Sequence, residues 1–174
     1  MEMVELYGIE EELRYDPDTG LFHHLKTKGN IPKDGIARSL DTHGYIRVSY
    51  KGKRYLGHRV AFWLVSGYWP KDDVDHINGV RDDNRWCNLR EATRGQNLHN
   101  QRCTRGKSKY KGVVKYRDAW VAQIGSKEFG KKHLGVYTCE KEAALAYNYK
   151  AEDFFGSYAR FNQVFDSMEV AEGD

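Results

Sequence analysis

A polar, basic segment without apolar periodicity, residues 102–109, divides this 174-residue chain into two stretches that each carry their own apolar pattern. Such a segment buries too little apolar surface to fold alone, which indicates a linker. The stretches on either side, 1–101 and 110–162, are each long enough for a small domain with a modest core. We therefore expect two small domains, followed by an acidic tail at 163–174.

The first part of the chain is predicted to be rich in β-structure. Residues 15–20 form a turn cluster, and residues 44–56 alternate apolar and polar side chains, with Gly52 at the turn of a hairpin. Arg47 and Lys51 lie on the polar face of that hairpin. The hairpin could place these cations in a DNA groove, or it could be half buried with a solvated outer face, and the pattern leaves both interpretations open.

Residues 58–68 carry apolar side chains at helical spacing, which predicts a core helix. His58 stands at the head of this run, as a helix cap, a phosphate contact or a catalytic group. Beyond the helix we expect a strand at 72–77, an exposed loop at 79–87 and a closing helix within 88–101.

The residues with the clearest chemical meaning are Asp75, His76, Asn88 and Asn97. Hydrolysis of a phosphodiester needs a base that activates water and a divalent cation that neutralises developing negative charge. A histidine can serve as the base at neutral pH, and a carboxylate with an amide oxygen suits a hard cation such as Mg²⁺. Adjacent residues on a strand point to opposite sides, so Asp75 and His76 can serve cation and water separately only where the strand ends and twists.

The segment 57–100 resembles the HNH endonucleases, especially the phage and intron-encoded homing type. The resemblance is carried by His58-Arg59-Val60-Ala61, Val74-Asp75-His76-Ile77-Asn78-Gly79, Asp82-Asp83-Asn84, Asn88-Leu89-Arg90-Glu91-Ala92-Thr93 and Gln96-Asn97. It implies a ββα-metal nuclease domain in which His76 is the general base and Asp75 and Asn97 bind the metal. It also implies that Asn88 braces the loop and orients His76. Many family members have histidine where this chain has Asn97.

The expected cofactor is a divalent metal ion, Mg²⁺, for which Mn²⁺ can substitute. The three cysteines, Cys87, Cys103 and Cys139, are widely spaced and form no zinc-type Cys-x-x-Cys pair. We therefore expect free thiols and no structural zinc.

The second part of the chain is predicted to be a three-stranded antiparallel sheet covered by one helix. Strands are expected at 110–116, 119–124 and 132–137. Thr138 is the predicted helix N-cap, and Gly156 the predicted end. The apolar stripe that must cover the sheet comprises Ala143, Ala144, Tyr147, Ala151, Phe154 and Phe155.

This second region, over residues 108–162, resembles the AP2 DNA-binding domain. The resemblance is carried by Tyr110-Lys111-Gly112-Val113, Trp120-Val121-Ala122-Gln123-Ile124, Leu134-Gly135, Glu142-Ala143-Ala144, Ala146-Tyr147, Gly156 and Ala159-Arg160-Phe161-Asn162. It implies that the open face of the sheet enters the DNA major groove. The positions expected to contact DNA are Lys111, Lys115, Arg117, Trp120, Gln123 and Lys132. Trp120 has sheet packing as an equally strong alternative.

Charge distribution supports a polyanionic partner. The net charge is only +3, yet residues 101–135 contain ten Lys or Arg side chains against two acids. Arg102 and Arg105 in the linker are expected to contact DNA with the rest of this block. No apolar run is long enough to span a bilayer, and the N-terminus lacks a secretory pattern, so we expect a cytoplasmic protein without membrane contact.

Together these observations predict an α+β protein that is a metal-dependent, site-selective DNA endonuclease. Its expected products carry 5′-phosphate and 3′-hydroxyl ends. One active site per chain predicts nicking of one strand by a monomer, or cutting of both by a dimer assembled on double-stranded DNA. The alternative is a non-catalytic DNA-binding regulator whose HNH-like half is a structural remnant.

Overall fold

The computed structural model describes residues 6–26, 34–37, 39–101 and 107–164. Four sequence predictions fall outside these residues: the DNA contacts Arg102 and Arg105, the thiol of Cys103, and the acidic side chains beyond residue 164.

The chain divides into two compact units, Met1–Asn97 and Leu98–Asp174. Both combine short helices with small antiparallel sheets, and the predicted mixture of separate α and β elements is therefore confirmed. Among the helices of the described segments, none has the length and apolar character needed to cross a bilayer.

The first unit contains three two-stranded antiparallel sheets in sequence order. Its elements are β1 (Leu13–Tyr15), β2 (Phe22–His24), β3 (Arg47–Tyr50), β4 (Lys53–Leu56), α1 (Gly57–Ser66), β5 (Asp73–His76), β6 (Leu89–Ala92) and the start of α2 (Arg94–Asn100). β1 pairs with β2, β3 with β4, and β5 with β6.

The hairpin formed by β3 and β4 confirms the predicted turn at Gly52. Lys51 and Gly52 have φ values of 47° and 76°, which gives the two-residue, left-handed turn favoured between twisted strands. Val48 and Tyr50 face the core, while Arg47 and Ser49 lie on the opposite face. The alternation predicted from the sequence is therefore confirmed.

Helix α1 supports the strands that carry the candidate site. Val60, Ala61 and Phe62 are buried in a cluster that also contains Val74 of β5 and Leu89 of β6. The helix ends at Ser66 because Gly67 adopts a left-handed φ of 78°, so it is slightly shorter than the predicted 58–68. Burial of this apolar face fixes β5 and β6 on a rigid base.

The second unit is a three-stranded antiparallel sheet packed against one helix. Its elements are β7 (Val113–Tyr116), β8 (Ala119–Ser126), β9 (Gly130–Tyr137) and α3 (Glu140–Phe155), and the strand order is β7-β8-β9. All four elements lie close to their predicted positions. The predicted stripe of α3 is largely confirmed, since Ala143, Ala144, Tyr147, Ala151 and Phe155 are buried.

The start of α3 differs from the prediction. Thr138 is not the N-cap, because the cap position is Cys139 and its side chain makes no capping hydrogen bond. Glu140 and Glu142 in the first turn interact favourably with the positive end of the helix instead. The predicted end at Gly156 is confirmed.

Two asparagines close the second unit by reciprocal hydrogen bonds. Asn162 accepts from the Lys111 amide through Oδ1 (2.6 Å) and donates to the Lys111 carbonyl through Nδ2 (2.9 Å). Asn148 of α3 makes the same pair of bonds to the backbone of Asn162, at 2.7 and 2.8 Å. The C-terminal segment is thereby fixed to both the sheet and the helix.

Candidate active site

Asp75 and His76 are the last two residues of β5, where they pair with Arg90 and Leu89 of β6. Both side chains are deeply buried, at 5% and 4% exposure. Because neighbouring residues of a strand project to opposite sides, the carboxylate and the imidazole leave the strand in different directions. The strand end thus separates the two groups, as the sequence predicts.

Arg90 neutralises the buried Asp75. Oδ2 of Asp75 accepts hydrogen bonds from Nε and Nη2 of Arg90 at 2.9 and 2.8 Å. A buried carboxylate requires such compensation, and two charge-assisted bonds to one oxygen hold that oxygen against the guanidinium. Arg90 is part of the sequence motif, yet nothing in the motif assigns it this contact.

The buried surroundings of His76 favour its neutral form. Its Nε2 is 3.1 Å from Oδ1 of Asn84. Burial lowers the pKa of His76 below its ordinary value, although the hydrogen bond to Asn84 and the charge of Asp75 act in the opposite direction. At neutral pH the ring is therefore an unprotonated imidazole, the form that can accept a proton.

His58 and Tyr45 lie beside the His76 ring. The rings of His58 and His76 meet edge to face, with centroids 4.9 Å apart, and the Tyr45 ring lies 5.2 Å from His58. Burial, reinforced by His76, lowers the pKa of His58 to about 3. His58 is inside the first turn of α1, whose N-cap is Leu56, so the predicted cap role is wrong. Its burial also removes it from phosphate contact.

The buried His58 predicts a stability that falls in acid. A histidine whose folded pKa is about 3 binds no proton in the native state until far below the unfolded value of about 6.5. The unfolded chain therefore binds more protons between those values, and the free energy of unfolding decreases as pH falls through this range. Between pH 7.5 and pH 5 we expect a loss of about 2 kcal/mol from this group.

The measurement is urea denaturation at both pH values of wild type and His58→Phe, which retains a ring of similar shape. Hydrogen exchange of peptides from α1 and β5 assigns the transition to the first unit. The wild type should lose about 2 kcal/mol more than the variant on acidification. Equal losses would show that His58 does not remain neutral in the folded protein.

Asn88 braces the loop between β5 and β6, as the resemblance implies. Its Oδ1 accepts from the Asn78 amide at 2.9 Å, and its Nδ2 donates to the Asp83 carbonyl at 2.8 Å. The two ends of the loop are thus joined through one side chain. The amide that meets the His76 ring is that of Asn84.

Asn97 of α2 approaches β5 on the side of the Asp75 carboxylate. Its Nδ2 lies 3.4 Å from Oδ2 of Asp73, which is two residues before Asp75 and hence on the same side of the strand. The Asp75 carboxylate and the Asn97 amide oxygen are both hard donors that suit Mg²⁺. Within the described residues there is no cluster of three or more His, Cys, Asp or Glu side chains placed to hold a metal. A cation bound by only these two oxygens would keep room for water and phosphate ligands.

The predicted DNA contacts of the first unit have different environments. Arg47 is half buried, and its Nε and Nη2 each lie 3.0 Å from Oδ2 of Asp41. Lys51 is exposed at the tip of the hairpin, with Nζ 4.8 Å from the centroid of the Tyr50 ring. Of the two, Lys51 presents its charge more openly to solvent.

In the second unit, strand register separates the predicted contacts onto two faces. Trp120 and Lys115 are paired and share the face of Ala122, which is covered by α3, and Lys132 pairs with Ile124 on that face. Gln123 has the opposite orientation and lies on the open face.

Cation–π contacts fix several of these side chains. Nζ of Lys115 lies 4.5 Å from the Trp120 ring centroid, and that of Lys132 lies 4.8 Å from Phe154. The Arg117 guanidinium lies 5.4 Å from the ring of Tyr116, an exposed residue of the open face. Arg117 is therefore the predicted cation that approaches the open face.

Lys111 has a structural contact that the charge pattern does not reveal. Its Nζ donates to the carbonyl oxygens of His99 and, at 3.0 Å, of Gln101. These carbonyls lie at the C-terminal end of α2, where a cation interacts favourably with the helix dipole. The ring of His99 stacks on that of Phe155, with ring centroids 4.0 Å apart.

A known protein family matches the region that carries the sequence motif. The HNH endonuclease family model matches residues 55–99, which include α1, the β5–β6 pair and all of α2 except its last residue. The Asp75, His76, Asn88 and Asn97 positions all fall inside this match.

Among the relatives, DNA endonuclease I-HmuI of Bacillus phage SP01 is 34% identical over 125 residues, covering 68% of each chain. An HNH endonuclease of Acanthamoeba polyphaga mimivirus is 33% identical over 120 residues, covering 67% of this chain and 62% of its own length. An AP2-like ethylene-responsive transcription factor of Arabidopsis thaliana is 43% identical over 63 residues, covering 34% of this chain and 18% of that protein.

The AP2-like match is partial and involves a small share of a longer protein. The matches to nucleases cover most of this chain and confirm the resemblance that the motif around Asp75 and His76 predicts. The chain belongs to the HNH family of DNA endonucleases.

Proposed function

We propose that this protein is a metal-dependent, site-selective endonuclease of the homing type that cleaves double-stranded DNA. The observation that carries the proposal is the arrangement at the end of β5. A buried, neutral His76 leaves one side of the strand, while Asp75 and the approaching Asn97 lie on the other. We further propose that β5, β6 and α2 form the ββα-metal arrangement of this family.

In the proposed reaction His76 takes a proton from a water molecule, and the water oxygen attacks phosphorus. The bond from phosphorus to the 3′ oxygen breaks, its electron pair leaves with that oxygen, and solvent supplies the proton that completes the 3′-hydroxyl. The phosphate stays on the 5′ oxygen of the downstream nucleotide. The neutral state of His76 at physiological pH is what makes the first step possible.

Asp75 and Asn97 would hold the divalent ion, for which Mg²⁺ is proposed and Mn²⁺ is a substitute. When bound, such an ion stabilises negative charge on the phosphate and on the leaving oxygen. Arg90 holds one oxygen of the Asp75 carboxyl group through its two hydrogen bonds. Asp73 does the same for Asn97 by accepting from its Nδ2, which directs the amide oxygen away from that carboxylate.

We propose that residues 110–162 of the second unit are an AP2-like module that holds the enzyme on its target through the open face of its sheet. That face carries the exposed Val114, Tyr116 and Val136, together with Gln123. Gln123 can read adenine edges, and apolar side chains can contact thymine methyl groups. Arg117 beside Tyr116 would add phosphate affinity.

A single Asp75–His76 pair occurs in the sequence, so one chain is proposed to nick one strand. Cutting both strands would require a second chain assembled on the DNA. Nicked product would therefore indicate a single chain on the DNA, and product cut in both strands would indicate two.

Supercoiled plasmid carrying the genomic neighbourhood of the coding sequence tests the proposal. With Mg²⁺ or Mn²⁺ we expect relaxed circles that religate with DNA ligase, because ligase requires 5′-phosphate and 3′-hydroxyl ends. EDTA should abolish the reaction. Linear product would indicate paired chains. Binding without cleavage under all these conditions would instead support the non-catalytic regulator.

A further inference from the structure

The loop between β5 and β6 places a nearly fully buried amide against the candidate base. Asn84 is 1% exposed, and its Oδ1 lies 3.1 Å from Nε2 of His76. Asn84 occupies the loop eight residues after His76, so their contact depends on how that loop folds back. No role follows for Asn84 from the spacing of the metal and base residues alone.

The N-terminal hairpin fixes the backbone at Asn84. The hydroxyl of Tyr15 in β1 donates to the Asn84 carbonyl at 2.6 Å. Two residues on, the Trp86 amide donates to the Pro17 carbonyl at 2.9 Å. The loop is therefore attached to the β1–β2 hairpin both at Asn84 and just beyond it.

Gly20 brings the turn of that hairpin into direct contact with the loop. A Cβ at position 20 would lie 2.5 Å from the Arg85 nitrogen and 2.6 Å from the carbonyl carbon of Asn84, and φ is +74°. Only glycine permits this approach of the two backbones. Such close packing leaves Asn84 little freedom to move away from His76.

We propose that Asn84 is a positioning residue that holds His76 in the tautomer with a proton on Nε2. An amide oxygen only accepts hydrogen bonds, so Nε2 must donate to it, and the lone pair is then on Nδ1. Nδ1 is thereby the atom that takes the proton from water, a consequence that rests on the proposed nuclease function. Once Nδ1 is protonated, the Nε2–H bond to Asn84 stabilises the resulting imidazolium.

The orientation of the Asn84 amide determines which ring nitrogen of His76 carries the proton. Among the described residues its Nδ2 is buried without a hydrogen-bond partner. Rotation of the amide by 180° would make Nδ2 the donor to Nε2 and would place the imidazole proton on Nδ1. The two arrangements give opposite tautomers, which can be measured directly.

The experiment is long-range ¹H–¹⁵N correlation spectroscopy of the full chain labelled with ¹⁵N-histidine, at pH 7.5. His76 is assigned by comparison with His76→Gln. We expect one tautomer, with the proton on Nε2 and exchanging slowly with solvent. A proton on Nδ1, or fast exchange between both tautomers in the wild type, would overturn the proposal without any variant of Asn84.

Asn84→Leu removes the acceptor while keeping the branched shape and the number of heavy atoms of the side chain. We expect the Nε2 proton to exchange with solvent at least about tenfold faster. Cleavage should slow by about 100-fold while plasmid binding is unchanged. Asn78→Ala is the matched control, since Asn78 lies in the same loop and its side chain bonds to Asp83 and Val80 instead. An unchanged exchange rate in Asn84→Leu would overturn the proposal.

Failure of the positioning role and failure of the nuclease function can be told apart. The tautomer and the proton exchange are measured in the absence of DNA and metal. If they behave as expected while wild type cleaves nothing, Asn84 positions His76 in a protein that is not a nuclease. If wild type cleaves but His76 carries its proton on Nδ1, the nuclease function stands and the role of Asn84 is refuted.

Discussion

His76→Ala should reduce plasmid cleavage by about 1,000-fold and leave DNA affinity within about twofold of wild type. The imidazole is the proposed proton acceptor, and its removal leaves bulk water to activate the nucleophile. Affinity should persist because a neutral imidazole contributes no charge to phosphate binding. The measurement is single-turnover nicking in Mg²⁺, together with a gel-shift titration at fixed salt.

The matched control is His43→Ala, which removes an exposed imidazole from the same unit. The His43 amide donates to Asp41 and its carbonyl accepts from Arg81, and both backbone bonds survive the substitution. Cleavage should be unchanged in this variant. Activity of His76→Ala close to that of wild type would refute the assigned base, and equal losses in both variants would point to a general defect.

Local patterns in the sequence predict much of this fold. The turn at Gly52 follows from strand alternation around a residue that accepts positive φ, and the end of α3 at Gly156 follows from the same conformational freedom. The cap at Thr138 fails because α3 begins at Glu140, which makes Cys139 the flanking residue, and capping depends on one-residue placement. Periodicity locates an element well but leaves its first residue undetermined.

The sequence predicts which residues form the candidate site, but it does not predict their hydrogen-bond partners. Asp75, His76 and Asn97 are recognisable because their chemistry and order are specific. The contacts of Arg90 with Asp75 and of Asn84 with His76 depend on strand register and on a folded loop. A sequence offers several polar candidates for each contact, and only the tertiary structure selects among them.

The charge pattern likewise predicts a DNA-binding region without predicting which of its side chains face the DNA. The basic block around residues 101–135 indicates a polyanion partner, yet it does not say where each cation points. Lys111 is directed to backbone carbonyls, and Lys115 lies over Trp120 on the helix-covered face. The alternation of β8 determines the face, and the bulge at Ala122/Gln123 shifts the register with β9, which no composition count reveals.

Gly112→Ala should destabilise the second unit by about 3 kcal/mol or more while leaving the first unit unaffected. Gly112 has φ of +74°, a conformation that costs alanine about 1 kcal/mol. A Cβ there would also lie 2.0 Å from Cδ2 of Tyr147 and 2.6 Å from the Gln123 carbonyl oxygen. Tyr147 is 2% exposed within the core under α3, so the ring cannot move aside without disturbing the sheet contact.

The matched control is Gly130→Ala, because Gly130 has φ of +71° and a Cβ added there would meet no atom within 4 Å. It carries the same backbone strain without the collision, so its cost should stay near about 1 kcal/mol. Hydrogen exchange resolved to peptides of β8 and α3 measures the stability of the second unit, and peptides of α1 report on the first. Equal losses in the two variants would show that the contact with Tyr147 relaxes freely. A large loss confined to the second unit, accompanied by weaker DNA binding and residual nicking at high enzyme concentration, would assign target binding to that unit and cleavage to the first.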